Sequence, residues 1–367
     1  MIGITGQSKM RKEELFHMEA AKPDPKIYKE VKEHWDRLLK PIDGLGAFEE
    51  AICRIGSIRG TVQPTLRDRR VLIFCADNGI VSEGVSQSGP EVTLLVAKLL
   101  GEGRSTASVM AKKAGATVIP VDIGIDSDEC PAGVRSCRVQ RGTGNFLQGP
   151  AMTEEAALRA VETGIQLVHE MADTGAELIA TGEMGIGNTT TSAALLSLLT
   201  GEPAERYVGR GAGLDDLGLA RKREVVRRAE ELYGALRYSD VREAAFARLC
   251  QVGGLDIAAL TGVYLGGALY RLPIVIDGVI SAVAALIAAT ILPVCREYML
   301  PSHAGREPGL GRVLELLDLS PFLQGDMALG EGTGAIMLLP LLDVALELYH
   351  SGGTFEQGGL KEYERYV

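Results

Sequence analysis

Four short apolar runs, VLIFCAD (71–77), ATVIPVDIG (116–124), ELIATGEMG (177–185) and LPIVIDG (272–278), are rich in β-branched residues and end abruptly in polar or glycine-rich loops. Their apolarity is continuous, not alternating, which predicts strands covered on both faces. Segments of helical spacing lie between them. In the clearest, Leu158, Val161, Ile165, Val168 and Met171 recur every three or four residues. Thr153 before Glu154 and Glu155 predicts an N-cap with acids in the first turn, and Gly175 predicts the stop. Strand, helix, strand repetition predicts an α/β fold with a doubly wound, mostly parallel sheet. In such a sheet ligands sit at the carboxyl ends of the strands, so the glycine-rich loops share one rim. The uncharged segment 278–294 approaches membrane-spanning length, but Asp277 and Pro293 bracket it and the rest of the chain is soluble in character, so it reads as a buried core helix. Residues 1–35 and 351–367 lack the pattern and are expected as helices or frayed ends beside the sheet.

The length, 367 residues, predicts one large domain and a smaller one, or two comparable ones. A net charge of -10, with no run of five Lys or Arg, gives no electrostatic footprint for nucleic acid. Six scattered cysteines without a CxxC pair, and five histidines that do not cluster with them, predict reduced thiols and no protein-bound metal. The first residues have no apolar stretch long enough for a signal-peptide core, so a cytoplasmic location is expected, without membrane attachment.

Several loops can carry chemistry. TGEMGIGNTTTSAALLSLL (181–199) runs from a strand end through a glycine-rich turn into an apolar helix, a shape that presents backbone N–H groups to an anion. Gly182 and Gly187 have P-loop spacing, but Asn188 stands where the lysine must be, which disfavours ATP hydrolysis. A tight turn with capping threonines fits the same residues, although Glu183 inside it needs a separate reason. In LGEGTGAIMLLPLLDVA (329–345), Gly330 and Gly332 leave the Glu331 carboxylate unscreened by neighbouring side chains. Partial desolvation there suits a general base, while a glutamate stabilised by a helix N-terminus fits equally. CADNGIVSEGVSQSGPEVT (75–93) is a long loop at a strand end, the usual place for a ligand contact. In SHAGREPG (302–309), His303 reads first as a satisfied structural group. In GRGAGLDDLGLARKREVV (209–226), Lys222 reads first as part of a solvated helix face paired to nearby acids.

Together these loops resemble the nicotinate-nucleotide:dimethylbenzimidazole phosphoribosyltransferase family of cobalamin biosynthesis. The resemblance runs through DRLLKPIDGLGAFE (36–49), FCADNGIVSEGVS (74–86), GTGNFLQGPAMT (142–153), GEMGIGNTT (182–190), VGGLDIAALTGVYLGGA (252–268), PIVIDGVISAVAAL (273–286) and GEGTGAIMLLPLLDVA (330–345), in the family's order. It implies that an aromatic base displaces nicotinate from nicotinate mononucleotide with inversion at the anomeric carbon. Nicotinate leaves from a pyridinium, so its departure neutralises a ring cation and needs no acid, unlike the paired carboxylates of glycosidases. By the resemblance Glu331 takes the proton of the incoming azole and Glu183 is also required. Gly185 and Lys222 hold the nucleotide phosphate, Ser88 lies at the base pocket, and Met184 and Leu329 sandwich the flat ring. The resemblance further implies no separate cofactor, a homodimer, a Rossmann-like large domain (60–330) and a small, mainly helical domain from both chain ends (1–59 plus 331–367).

Two positions depart from the family pattern. Val96 stands where a glutamine often faces the base, which removes an amide and predicts a pocket less selective for benzimidazole. Gly305 stands at the second serine of the S-H-x-S-A-E motif; its N–H remains, and Arg306 offers a replacement contact to phosphate. The acceptor therefore stays open among a substituted benzimidazole, adenine and a phenol. A non-catalytic subunit supporting an active paralogue is a rival reading, against which the retention of Glu331 and Glu183 counts.

Overall fold

A computed structural model describes residues 10–365. The expectations for residues 1–9 and 366–367 lie outside the described residues.

Six strands, β1 (Arg69–Ala76), β2 (Thr117–Gly124), β3 (Arg135–Ser136), β4 (Leu178–Met184), β5 (Ile274–Ile276) and β6 (Met299–Pro301), form one parallel sheet in the order β3-β2-β1-β4-β5-β6. Two further strands, β7 (His303–Gly305) and β8 (Leu323–Met327), pair in parallel beside it. The chain leaves β1 toward one edge and returns at β4 to build the other. The connections after these two neighbours therefore diverge, and a crevice opens above their carboxyl ends.

Continuous apolarity in β1 has the predicted consequence. Leu72, Phe74 and Ala76 enter one core and Val71, Ile73 and Cys75 the other, all fully buried. The first core is closed mainly by helices Glu154–Asp173, Leu255–Tyr270 and Val279–Ile291, the second by Pro25–Arg37, Ala47–Arg59 and Thr333–Ser351. The sheet is thus doubly wound. The segment 278–294 is a buried helix over Val279–Ile291, as its brackets suggested. Helix Glu154–Asp173 begins where Thr153 accepts a hydrogen bond from the Ala156 N–H at 3.1 Å, and its chain turns away at Gly175 with φ 91°.

The two chain ends meet on the second face. Trp35 and Tyr349 pack with ring centroids 5.1 Å apart, Leu38 bridges to Thr354, and Arg365 pairs with Asp36 and Asp43. One helix among the described residues, Thr333–Ser351, is long and apolar enough to cross a membrane, and 56% of its most apolar window is buried inside the protein.

Candidate functional site

The loop 330–332 is the centre of the crevice. Gly330, Glu331 and Gly332 have φ of 85°, 56° and 78°, three consecutive left-handed residues, of which only the glutamate bears a side chain. That region is costly for a non-glycine residue, so the surroundings must hold it. Asp277, at the end of β5 and 3% exposed, does much of this: its carboxylate accepts from the N–H groups of Gly332 (3.2 Å), Gly334 (2.8 Å) and Ala335 (3.1 Å). A residue 55 or more positions away thereby caps the open end of helix Thr333–Ser351. From below, β4 supports the loop at Gly182, where a Cβ would stand 2.8 Å from the Gly332 nitrogen. His303 is 5% exposed, its Nδ1 lies 2.9 Å from the Ser302 Oγ, and its ring covers Gly334.

Glu331 itself is half-buried, and among the described residues its carboxylate accepts only a long hydrogen bond, 3.4 Å, from the Ala107 N–H. Burial raises its pKa above the ordinary glutamate value; the Ala107 N–H acts against this. Glu183 is 8% exposed at the end of β4. Asn188 Nδ2 donates to Glu183 Oε2 and, at 3.0 Å, to Asp256 Oδ2. Burial, then the neighbouring Asp256, pushes the Glu183 carboxyl up to about 8, and burial takes Asp256 to about 6.

The far end of the crevice has the opposite character. Gly187 (φ 93°) turns the chain into helix Asn188–Thr200, whose first residues, Asn188 and Thr189, line the crevice. On helix Asp216–Tyr233, Arg227 pairs at the surface with Glu224 and Glu231, whereas Lys222 is fully buried. Its Nζ donates to the Thr189 Oγ1 at 2.7 Å, and among the described residues no carboxylate lies within ion-pair distance. Burial lowers its pKa to about 8, against the pull of the Glu307 carboxylate, which lines the same cavity beyond ion-pair distance. An ammonium buried without a carboxylate in direct contact is costly unless an anion comes to it. The intervening cavity, about 300 Å³, is walled by Ser88, Val92, Val96, Met184 and Leu329 on its apolar side.

A family model described as phosphoribosyltransferase matches residues 20–360. The nicotinate-nucleotide–dimethylbenzimidazole phosphoribosyltransferase of Ruminiclostridium cellulolyticum is 43% identical over 330 residues, covering 90% of this chain and 92% of that one. The Clostridium acetobutylicum enzyme of the same name is 42% identical, covering 93% and 96%. The crystal structure of CobT from Thermus thermophilus aligns with a TM-score of 0.85 at 37% identity, covering 92% of this chain and 100% of that one. The chain belongs to the nicotinate-nucleotide:dimethylbenzimidazole phosphoribosyltransferase family.

Of the residues that the family resemblance singled out, Ser88, Glu183, Met184, Gly185, Gly305, Leu329 and Glu331 line the one cavity, as does the departing Val96. Lys222 reaches it through Thr189 and Gly211. Arg306 does not join them: its side chain is exposed, and its N–H donates to the Met327 carbonyl at 3.0 Å. A Cβ at Gly305 would meet that same carbonyl at 3.0 Å, so a serine here would press β7 from β8. Sequence reasoning missed Asp277, Asp256 and the bridging role of Asn188. A lone aspartate closing an apolar strand was the only signal for Asp277. His303, read as a structural group, is buried and hydrogen-bonded and also lines the cavity.

Proposed function

We propose that this chain transfers the 5-phosphoribosyl group of nicotinate mononucleotide to a lower-ligand base, 5,6-dimethylbenzimidazole or a relative, with inversion at the anomeric carbon. The observation that carries this reading is one cavity with a half-buried glutamate at one end and a buried, unpaired lysine at the other. Lys222, Thr189 and Gly185 suit a phosphate, with Gly305 in the same cavity wall. The wall of Val92, Val96, Met184 and Leu329, with Ser88, suits a flat ring. Glu331 is assigned as base. Its carboxylate takes the azole N–H proton while the azole's other ring nitrogen bonds to the anomeric carbon. The old C–N bond breaks, and its electron pair neutralises the departing pyridinium to nicotinate. A single base of this kind contributes about 10² to 10⁴ in rate, and positioning supplies much of the rest.

The reading includes a homodimer working in the cytoplasm, with the two chain ends acting as one small domain. Met337, Leu341, Val344 and Leu348, between 37% and 69% exposed, form an apolar stripe along helix Thr333–Ser351, and this supports a second copy against that face. The test incubates purified protein with nicotinate mononucleotide and a panel of benzimidazoles, adenine and phenols, and follows nicotinate release. Absence of release with every base would sink the assignment. Glu331→Gln is expected to abolish turnover while nucleotide binding stays within a few fold; a turning-over variant removes Glu331 from the role of base.

A further inference from the structure

Two carboxylates in this site share a single side-chain donor. Asn188 Nδ2 serves both Glu183 Oε2 and Asp256 Oδ2, and among the described residues no other side-chain donor, Lys and Arg included, meets either group. Asp256 is fully buried and Glu183 nearly so. Two like charges this close, out of water and without a counter-ion, do not both stay ionised. The neighbourhood is short of donors more widely, since Oδ1 of Asp77, Asn78 and Asp256 are all buried without one. Such a pair titrates as a unit, and one proton stays on it after an isolated carboxyl would have lost its own.

We propose that Glu183 stands protonated at neutral pH, and that Asp256, joined to it through Asn188, is the positioning residue that keeps the proton there. The proton belongs on Glu183 because Asp256 sits in the first turn of helix Leu255–Tyr270, where the dipole and the nearby N–H groups favour its anion. Glu183 ends a strand and has no such support. The charged and titratable groups around Glu183 are Cys75 from β1, Asp256 from its helix, Asp277 just after β5, and Glu331 from the loop above; His303 from β7 in turn faces Asp277, and Asp77 faces Asp256. All the acids in this set oppose a second negative charge. The Glu183 carboxyl pushed up to about 8, above Asp256 at about 6, is in keeping with that order.

The consequence bears on Glu331. A neutral Glu183 does not repel the Glu331 carboxylate, which therefore stays ionised and ready for the azole proton. One proton on the lower glutamate makes the upper one the base. This rests on the transferase reading for its kinetic consequence, but the protonation state is testable without turnover.

The infrared spectrum at neutral pH is expected to show the carbonyl stretch of a buried, protonated carboxylic acid that is missing in Glu183→Gln. In kinetics, kcat is followed against pH with both substrates saturating, so that bound phosphate keeps Lys222 charged and off the profile. Wild-type kcat falls on the alkaline side as Glu183 ionises. Asp256→Asn, whose amide oxygen still accepts from Asn188, moves that limb to lower pH by about one unit. Glu183→Gln loses the limb and keeps kcat at least about tenfold above Glu183→Ala. No carboxylic acid band, an unmoved limb in Asp256→Asn, or a glutamine variant as slow as alanine overturns the proposal. Wild-type protein that releases no nicotinate would defeat the transferase reading and leave the infrared result to decide this one.

Discussion

Lys222→Met is the sharpest test of the buried cation, because it should raise stability and remove function together. The folded protein holds the lysine with its pKa near 8 against an ordinary 10.5. Each unit of that difference is worth about 1.4 kcal/mol, so an ionised Lys222 costs the ligand-free fold about 3 kcal/mol. The sign follows from proton counting: between the two values the unfolded chain binds more protons, so wild-type stability rises as pH climbs from about 8 to 10.5. Below that window the full cost is present. Methionine fills similar volume without charge, and loses one hydrogen bond to Thr189 worth about 1 to 2 kcal/mol. The net expectation is a gain of about 1 to 2 kcal/mol at pH 7, measured by urea unfolding, which shrinks as the pH is raised. Nicotinate mononucleotide should stabilise wild type and leave the methionine variant unmoved. A variant less stable than wild type at pH 7, or one that still gains stability from the nucleotide, refutes the picture of a cation waiting for phosphate.

Other expectations concern geometry and selectivity. Gly182→Ala places a Cβ 2.8 Å from the Gly332 nitrogen and 2.9 Å from the Glu331 carbonyl carbon, backbone atoms with little room to yield. It should lower kcat about 10²-fold with nucleotide affinity retained, and a normal kcat would show that the loop does not need its seat on β4. Val96→Gln should sharpen the preference for benzimidazole over phenol or adenine in competition assays. An unchanged product ratio would show that this position does not read the base.

The parts of the fold legible in the sequence were those with dense local signals. β1, β2, β4 and β5 lie inside or overlap the four apolar runs, and helix Glu154–Asp173 starts on the threonine and ends beside the glycine that mark it. β3 and β6 were not, because strands of two and three residues carry too few side chains for periodicity to register. β8 was hidden differently: LQGDM is largely exposed and polar and gains its pairing only from β7. At the site, Glu331 and Glu183 announce themselves by adjacent glycines. Asp277 could not, since its purpose appears only when a loop far along the chain folds over it. Lys222 looked like one more charge on a charged helix, and only its place in an ordered series of motifs pointed inward, where the fold puts it.

Val92 and Val96 stand one turn apart on helix Glu91–Gly101, which supplies neither of the two site glutamates, nor the buried lysine, nor the carboxylate that holds the 330–332 loop. These two residues of the acceptor's wall therefore lie apart from the reacting groups along the chain, whereas Met184 and Leu329 adjoin Glu183 and the 330–332 loop. A lineage can exchange two neighbouring side chains and change which ring it takes up while the bond-making apparatus passes unaltered to its descendants.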